Sequence, residues 1–229
     1  MKKTVSAQEQ GGGRRIVHRL PLPPADTDGF DFHTHDTQAP AGSAVVSMPR
    51  EWLMELRLFV PREGVLYAAG IHPWWTDRAG EVERMFAALP ALLQCPQVVA
   101  VGECGLDTLR GAPIEAQTAV FRRQIALAET FALPVTLHVV RAYDRLLRLH
   151  KELRPSTEWT VHGFRGRPAL ARQLLAAGMS LSFGAHYNAE AFALTPPSRL
   201  RRETDAPDTA DKTSWRDCAE FVIPESGTR

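Results

Sequence analysis

The sequence is poor in cysteine, in lysine and in long apolar runs. Its three cysteines, Cys95, Cys104 and Cys218, are an odd number and form no CxxC pair. That excludes a disulfide framework and a cysteine-ligated zinc site, and it points to a reducing, cytoplasmic setting. No run of about 18 apolar residues occurs, so no transmembrane helix and no membrane partner is expected. The opening MKKTVSAQEQGGGRR has a basic start without the apolar stretch of a secretory signal. Net charge is only +1, so there is no global basic field to hold nucleic acid without regard to sequence. Lysine is nearly absent, with four against 23 arginines. Arginine suits bidentate contacts to phosphate and carboxylate, although a genome-wide codon preference is the plainer reading for most of the 23. No internal repeat of fixed period is present.

What is there begins after a polar, glycine-rich stretch and the segment PLPPADTDG. Residues 1–29 read as a disordered extension and residues 30–229 as one domain. With 229 residues, 44% of them hydrophobic, the chain can build one sizeable core. Short apolar runs then alternate with segments of helical period. The runs are FDF (30–32), AVVS (44–47), VLYAAGI (65–71), VVAVG (98–102), PVTLH (134–138), WTVH (159–162), MSLSF (179–183) and RLRRET (199–204). Between them, AQTAVFRRQIALAETFA places Phe121, Ile125 and Ala128 on one stripe, and AYDRLLRLHKEL does the same with Ala142, Leu146, Leu149 and Leu153. RPALARQLLAAG begins at Pro168 and stops at Gly178, the usual asymmetry of helix ends. Alternating strands and helices mean a parallel sheet, and eight runs predict an α/β, TIM-like (β/α)8 barrel.

Two places depart from an ideal barrel. Only DTQAPAGS separates His35 from Ala44, too short for a helical crossover. Strand 2 is therefore expected to be distorted. Arg199, Arg201 and Arg202 crowd the eighth run, which should be buried on both faces, and this leaves closure at the C-terminal end open.

FDFHTHD raises the functional question. Side chains two apart on a strand share a face, so His33 and His35 leave one strand end together. Alone, such a pair reads as two solvated loop histidines. The other run ends change that reading. They carry His72 in GIHPWW, Glu103 and Asp107 in GECGLD, His138, His162 and Asp205. Five of the eight histidines sit at strand C-termini; His18, His150 and His186 do not. Histidines and acids on separate strands of a barrel rim are what metal-assisted hydrolysis needs. The donors are nitrogen and oxygen without thiolate, which suits zinc, manganese or magnesium and not copper or an iron–sulfur cluster. Five or six ligands exceed one tetrahedral zinc site but suffice for two divalent ions sharing a carboxylate.

The stretches FDFHTH, GIHPWW, VVAVGECGLD, AQTAVFRRQIALAE, LPVTLHVVRA, TVHGFRG, LSFG and ETDAP, in that order from residue 30 to 207, resemble the TatD-like metal-dependent hydrolases, or TatD DNases. HVVRA and HGFRG are most similar to a short bacterial subgroup. The resemblance implies hydrolysis of phosphodiesters, with DNA or another phosphodiester as substrate. It implies that His33 and His35 hold one metal, Glu103 bridges, and His138 and His162 hold the second. Asp205 holds the first metal and positions the attacking water, while His72 lies near the substrate or just behind the ligands. The family normally runs on for several tens of residues after ETDAP; here 22 follow.

Arg141 and Arg165 each lie three residues past a histidine ligand and could clamp phosphate oxygens, with surface salt bridging as the equal alternative. Trp74 and Trp75 read as packing around the barrel mouth, though either could stack a splayed base. Cys104 reads as core. Glu103 has no lysine or arginine within five residues, so without metal its carboxyl is expected to keep its proton. A monomer is expected. Two readings compete with the nuclease: a deacylase or other ester or amide hydrolase, and a non-catalytic protein that kept a metal site.

Overall fold

The computed structural model describes residues 19–25 and 27–207. Eight strands, β1 (Asp31–Thr34), β2 (Ala44–Ser47), β3 (Leu66–Ala69), β4 (Val98–Asp107), β5 (Val135–Val140), β6 (Trp159–Val161), β7 (Ser180–Phe183) and β8 (Leu200–Arg202), form one sheet in sequence order. Every neighbouring pair is parallel. All eight apolar runs are strands of this barrel.

The helices lie outside the sheet, and two of them bury the stripes their spacing marked. They are α1 (Arg50–Met54), α2 (Ala79–Leu92), α3 (Ile114–Phe131), α4 (Tyr143–Leu153), α5 (Pro168–Ala176) and α6 (Ala189–Leu194). Phe121, Ile125 and Ala128 of α3 are buried, as are Leu146 and Leu149 of α4 and Ala171 and Leu174 of α5. Helix α3 ends where Ala132 turns left-handed at φ 51, and α4 where Arg154 does so at φ 46. Both are αL terminations made without glycine.

The short connection between β1 and β2 holds no helix. It makes two successive turns, closed by Ala39 N–H donating to Asp36 O and Ser43 N–H to Pro40 O. The Arg62 guanidinium binds the carbonyls of Thr37 and Ala39, giving the loop the partners a helix would have supplied internally. The register of β1 on β2 shifts between Asp31 and Thr34, which is where the expected distortion falls. Strand 2 is nonetheless a full stave between β1 and β3.

Closure, left open by the sequence, is made by residues just past β8. Asp205 N–H donates to His33 O at 3.0 Å, and His35 N–H to Ala206 O at 2.9 Å. The Thr204 hydroxyl and backbone N–H donate to the two oxygens of buried Asp31 at 2.5 and 3.0 Å. The arginines of β8 are accommodated by alternation. Arg201 points into the barrel, where it pairs with Glu158 at 2.9 Å and lies over the Phe32 ring. Arg202 faces Phe192 of α6. The residues after Pro207 lie outside those described.

Part of the stretch expected to be disordered is laid against the barrel's underside. The Arg19 guanidinium donates to the carbonyls of Leu93 and Val98, each at 2.6 Å, and Leu20 N–H to Pro96 O at 3.1 Å. Leu22 packs on the lower interior cluster of Phe30, Val45, Leu66, Ala68, Val99 and Ala100. Residues 1–18 and 26 lie outside those described. Among the described residues no helix is long and apolar enough to cross a membrane.

Candidate metal centre

Every strand that ends in a histidine or acid sends it to the same mouth, and Glu103 stands in the middle. It lies in β4, where β4 and β5 run so close that a Cβ on Gly105, at φ +148, would run into the carbonyl oxygen of His138. Glu103 is 4% exposed. Its Oε1 lies 2.7 Å from His162 Nε2, 3.0 Å from His138 Nδ1 and 3.2 Å from His72 Nε2. Its Oε2 lies 3.3 Å from both His33 Nε2 and His35 Nε2. Asp205 Oδ1 approaches the same two nitrogens at 3.6 and 3.5 Å. The structure thus brings His33, His35, His72, Glu103, His138, His162 and Asp205 into one pocket.

These contacts set the charges. Burial pushes the Glu103 carboxyl up, but the charges of His162 and His33 and hydrogen bonds from His138 and His162 hold it well below the usual carboxylate range. The expectation of a protonated Glu103 is therefore overturned. Its counter-charges come from other strands, not from its sequence neighbours. Burial and His162 push His33 down, yet Glu103 and Asp205 raise it to about 9. His162 is raised well above its ordinary value, since Glu103 and Glu203 outweigh its burial. Asp205, though partly buried, is held far below the ordinary range by His33 and His35. It is ionised across the whole working range of pH.

His72 differs from His33, His35 and His162, whose pKa values are raised. Burial lowers its pKa, and Glu103 does not fully offset this. Its Nδ1 accepts the backbone N–H of Trp74 at 3.1 Å. A neutral imidazole that accepts at Nδ1 carries its proton on Nε2. The Nε2, Glu103 and His138 are near enough to share an ion, but with that tautomer Nε2 donates to Glu103 instead.

A metal fits the remaining donors. His33 Nε2 and Glu103 Oε2 are buried and lack a hydrogen bond of good geometry. Two atoms oriented alike on one space suit a shared cation. His33, His35 and Asp205 form one ligand group, and His33, Glu103 and His162 another. His138 Nδ1 lies 3.4 Å from His162 Nε2, on the same oxygen of Glu103. All donors are nitrogen or oxygen, a set that suits zinc, manganese or magnesium.

Behind the candidate ligands stands a layer of which the sequence reading named Asp107, without a role, and missed Glu203. Glu203, 0% exposed, sets Oε1 against His162 Nδ1 at 3.4 Å and accepts Gly163 N–H at 2.6 Å. Asp107 Oδ2 faces His138 Nε2 at 3.2 Å and accepts Trp74 Nε1–H at 2.6 Å. Burial raises Asp107, but Trp74, the Leu109 N–H and His138 together lower it below its ordinary value. Each carboxylate orients one imidazole with its inner nitrogen toward Glu103. Helix α3 braces the floor through two buried glutamines. Gln117 bonds Asp107 N and O at 2.8 Å each, and Gln124 bonds Ile71 N and O at 2.6 and 3.0 Å. The signal available in the sequence was polar residues seven apart on an otherwise apolar stripe.

Glu203→Gln tests this layer. Glutamine keeps an acceptor for Gly163 but removes the charge behind His162. Calorimetric titration with manganese should show affinity reduced by roughly 10–100-fold, as for other outer ligands of metal-bound histidines. Unchanged affinity would mean that Glu203 only braces the loop.

Arg141 follows β5 at φ 51 and is exposed; Arg165 is exposed in the loop after β6. Both are on the rim, without a contact to the ligand cluster among the described residues. Trp75 packs against the core, as expected of both tryptophans, but Trp74 is exposed. Cys104 is buried in the core with its thiol pushed up by burial.

Fold and site together define a (β/α)8 barrel with a histidine–carboxylate cluster at its C-terminal mouth, of a kind that could hold metal. The chain belongs to the TatD related DNase family, whose profile matches residues 7–223. It is similar to a protein of Erwinia amylovora named 3'-5' ssDNA/RNA exonuclease TatD, at 36% identity over 61% of this chain and 57% of that one. It is also similar to YjjV of Escherichia coli K12, named an uncharacterized metal-dependent hydrolase, at 36% identity over 62% of this chain and 59% of that one. The chain thus spans less than two thirds of the length of the curated relatives it matches. The crystal structure of YjjV, a TatD homolog, superposes with a TM-score of 0.63 at 28% identity, covering 78% of this chain and 79% of that one.

Proposed function

We propose that this chain is a hydrolase dependent on two divalent ions that cleaves phosphodiester bonds of nucleic acid from a strand end. The observation that carries the reading is the convergence of five histidines and Asp205 on one buried carboxylate, Glu103. The similarity to relatives named 3'-5' ssDNA/RNA exonucleases supports nucleic acid as the substrate class. His33, His35 and Asp205 would hold one ion, His138 and His162 the other, with Glu103 shared. Bound ions supply Lewis acidity, making water a stronger acid and offsetting charge that grows on the phosphoryl oxygens.

The chain's own groups do the rest. Asp205 is ionised and lies at the open side of the pocket, 38% exposed. It orients the attacking water and accepts its proton. His72, neutral with a proton on Nε2, donates to Glu103 and keeps that carboxylate aimed at the ligands. Arg141 and Arg165, on rim loops, hold the non-bridging phosphate oxygens.

The test is hydrolysis by purified chain with manganese, magnesium or zinc, and with chelator. The substrates are single-stranded DNA, RNA, duplex DNA and acyl esters. Progressive shortening of single strands, abolished by chelator, is expected. Turnover of esters with no loss of any strand would replace the nuclease by a deacylase.

A further inference from the structure

Trp74 is an exposed indole at the mouth, set beside the imidazoles of His72 and His138. Its side of the pocket is open, 41% exposed, while its neighbour Trp75 packs inward. It is also held firmly. Nε1–H donates to Asp107, the backbone N–H donates to His72, and the ring stands edge to face with His72 and His138 at centroid distances of 4.7 and 5.5 Å. A flat apolar surface is thereby fixed beside two of the imidazoles that surround Glu103.

The loop after β4 completes this surface. Asp107 Oδ1 accepts the N–H groups of Leu109 and Arg110 at 2.7 and 3.2 Å, so one carboxylate organises Trp74, His138 and the loop. Leu109 is 59% exposed. The Arg110 guanidinium lies over the indole, 4.4 Å from its centroid. Next along the loop, Thr108 borders a groove of about 510 Å³ that Arg141, Tyr143, Arg145 and Arg148 also line, with Asp144 as its one acidic residue. Arg145 is paired with Glu115. Arg141 and Arg148 form no ion pair among the described residues.

An exposed indole capped by a planar cation, next to a groove with unpaired arginines, matches one kind of ligand well. A single nucleic-acid strand offers flat bases to stack and phosphates to pair, and arginine stacks on bases as readily as on indoles. We propose that Trp74, Leu109 and Arg110 form a base-stacking platform for single-stranded nucleic acid beside the scissile phosphate. Arg110 lifts on its flexible stem, admits a base onto Trp74 and closes on its outer face. The groove beyond Thr108 carries the backbone onward over Arg141 and Arg148. A base inside a duplex is not free to stack in this way, so the platform selects single strands. The proposal rests on the nuclease reading and adds the substrate contact that the ligand cluster lacks.

The experiment compares wild type, Trp74→Phe and Trp74→Ala, as full chains loaded with manganese. The substrates are short single strands in which one nucleoside at a time is replaced by an abasic residue. Cleavage is followed as kcat/KM, and binding by anisotropy on a phosphorothioate strand. On the complete strand, Trp74→Ala should lose roughly tenfold in both, the size of one base–aromatic stack, while Trp74→Phe keeps most of it. Phenylalanine retains the ring and drops the bond to Asp107, so it separates stacking from positioning. At one abasic position wild type should fall to the level of Trp74→Ala, and the variant should lose nothing more. Arg148→Gln should reduce the slope of log affinity against log salt by about 0.7. If Trp74→Ala loses the same factor at every abasic position, Trp74 acts only through Asp107 and His138, and the platform is overturned while the nuclease reading stands. If wild type turns over methyl p-nitrophenyl phosphate but neither binds nor cuts any strand, both fall.

Discussion

Glu103→Gln should abolish hydrolysis and loosen divalent-ion binding more than any other single change in the pocket. Five imidazoles stand within 2.7–3.3 Å of the Glu103 oxygens. Glutamine fits the same volume but brings an NH₂ group, which cannot ligate, to a place where an oxygen faces histidines. In the metal-free protein the same substitution has a pH signature. His33 has a folded pKa of about 9 against 6.5 for the free side chain. A raised histidine contributes stability that is fully present below 6.5 and is lost as pH rises through about 9. That shift corresponds to something on the order of 3 kcal/mol, shared with the other members of a coupled pocket. Denaturant melts in chelator should therefore show wild type losing stability across that interval and Glu103→Gln losing much less. The gap between them should be widest in mild acid and close in alkali. A variant that still binds two ions and cuts DNA would remove Glu103 from the centre of the site. Parallel pH profiles of the two proteins would show that its charge does not hold the histidines.

Asp205→Asn should lower kcat by about 10²–10⁴-fold with the barrel intact, the range expected when a positioned acceptor of a proton is lost. The substitution is chosen for the backbone. Asp205 sits at φ 51, a left-handed conformation that asparagine tolerates nearly as well as aspartate and that most other side chains resist. The bond from its N–H to His33 O, which helps join the first and last strands, is made by the main chain and survives. Loss of activity with an unchanged melting profile would then belong to the carboxylate. Weaker binding of one ion, with the second retained, is also expected, because the Asp205 carboxylate lies within ion-pair distance of His33 and His35 and, among the described residues, of no other histidine. Activity within tenfold of wild type would mean that another group orients the water.

Much of this was written locally. Short apolar runs marked all eight strands, period-3.6 spacing marked the stripes of α3 and α4, and Pro168 and Gly178 marked the ends of α5, because such signals depend only on the local chain. The same rule placed His33, His35, Glu103, His138, His162 and Asp205 at strand ends. A parallel barrel puts all its strand C-termini at one mouth, so their convergence followed from topology. The missing helix between β1 and β2 was likewise a matter of length alone.

What the order of residues could not state is which groups meet across the barrel. Closure depends on Asp31 reaching Thr204, residues 173 apart in sequence, and on main-chain bonds from residues 205 and 206 to β1 and its end. The ionisation of Glu103 was misjudged because its sequence neighbours hold no cation, whereas histidines on three other strands lie about 3 Å away. Glu203 and Asp107 became partners of His162 and His138 only through the register of β8, β6, β4 and β5. Trp74 and Trp75 are adjacent and chemically alike, yet one packs inward and the other is pinned outward by Asp107. Local pattern decides which face a side chain takes. Charge state, orientation and exposure depend on distances of a few ångströms between strands far apart in the chain, and only the packed barrel sets those.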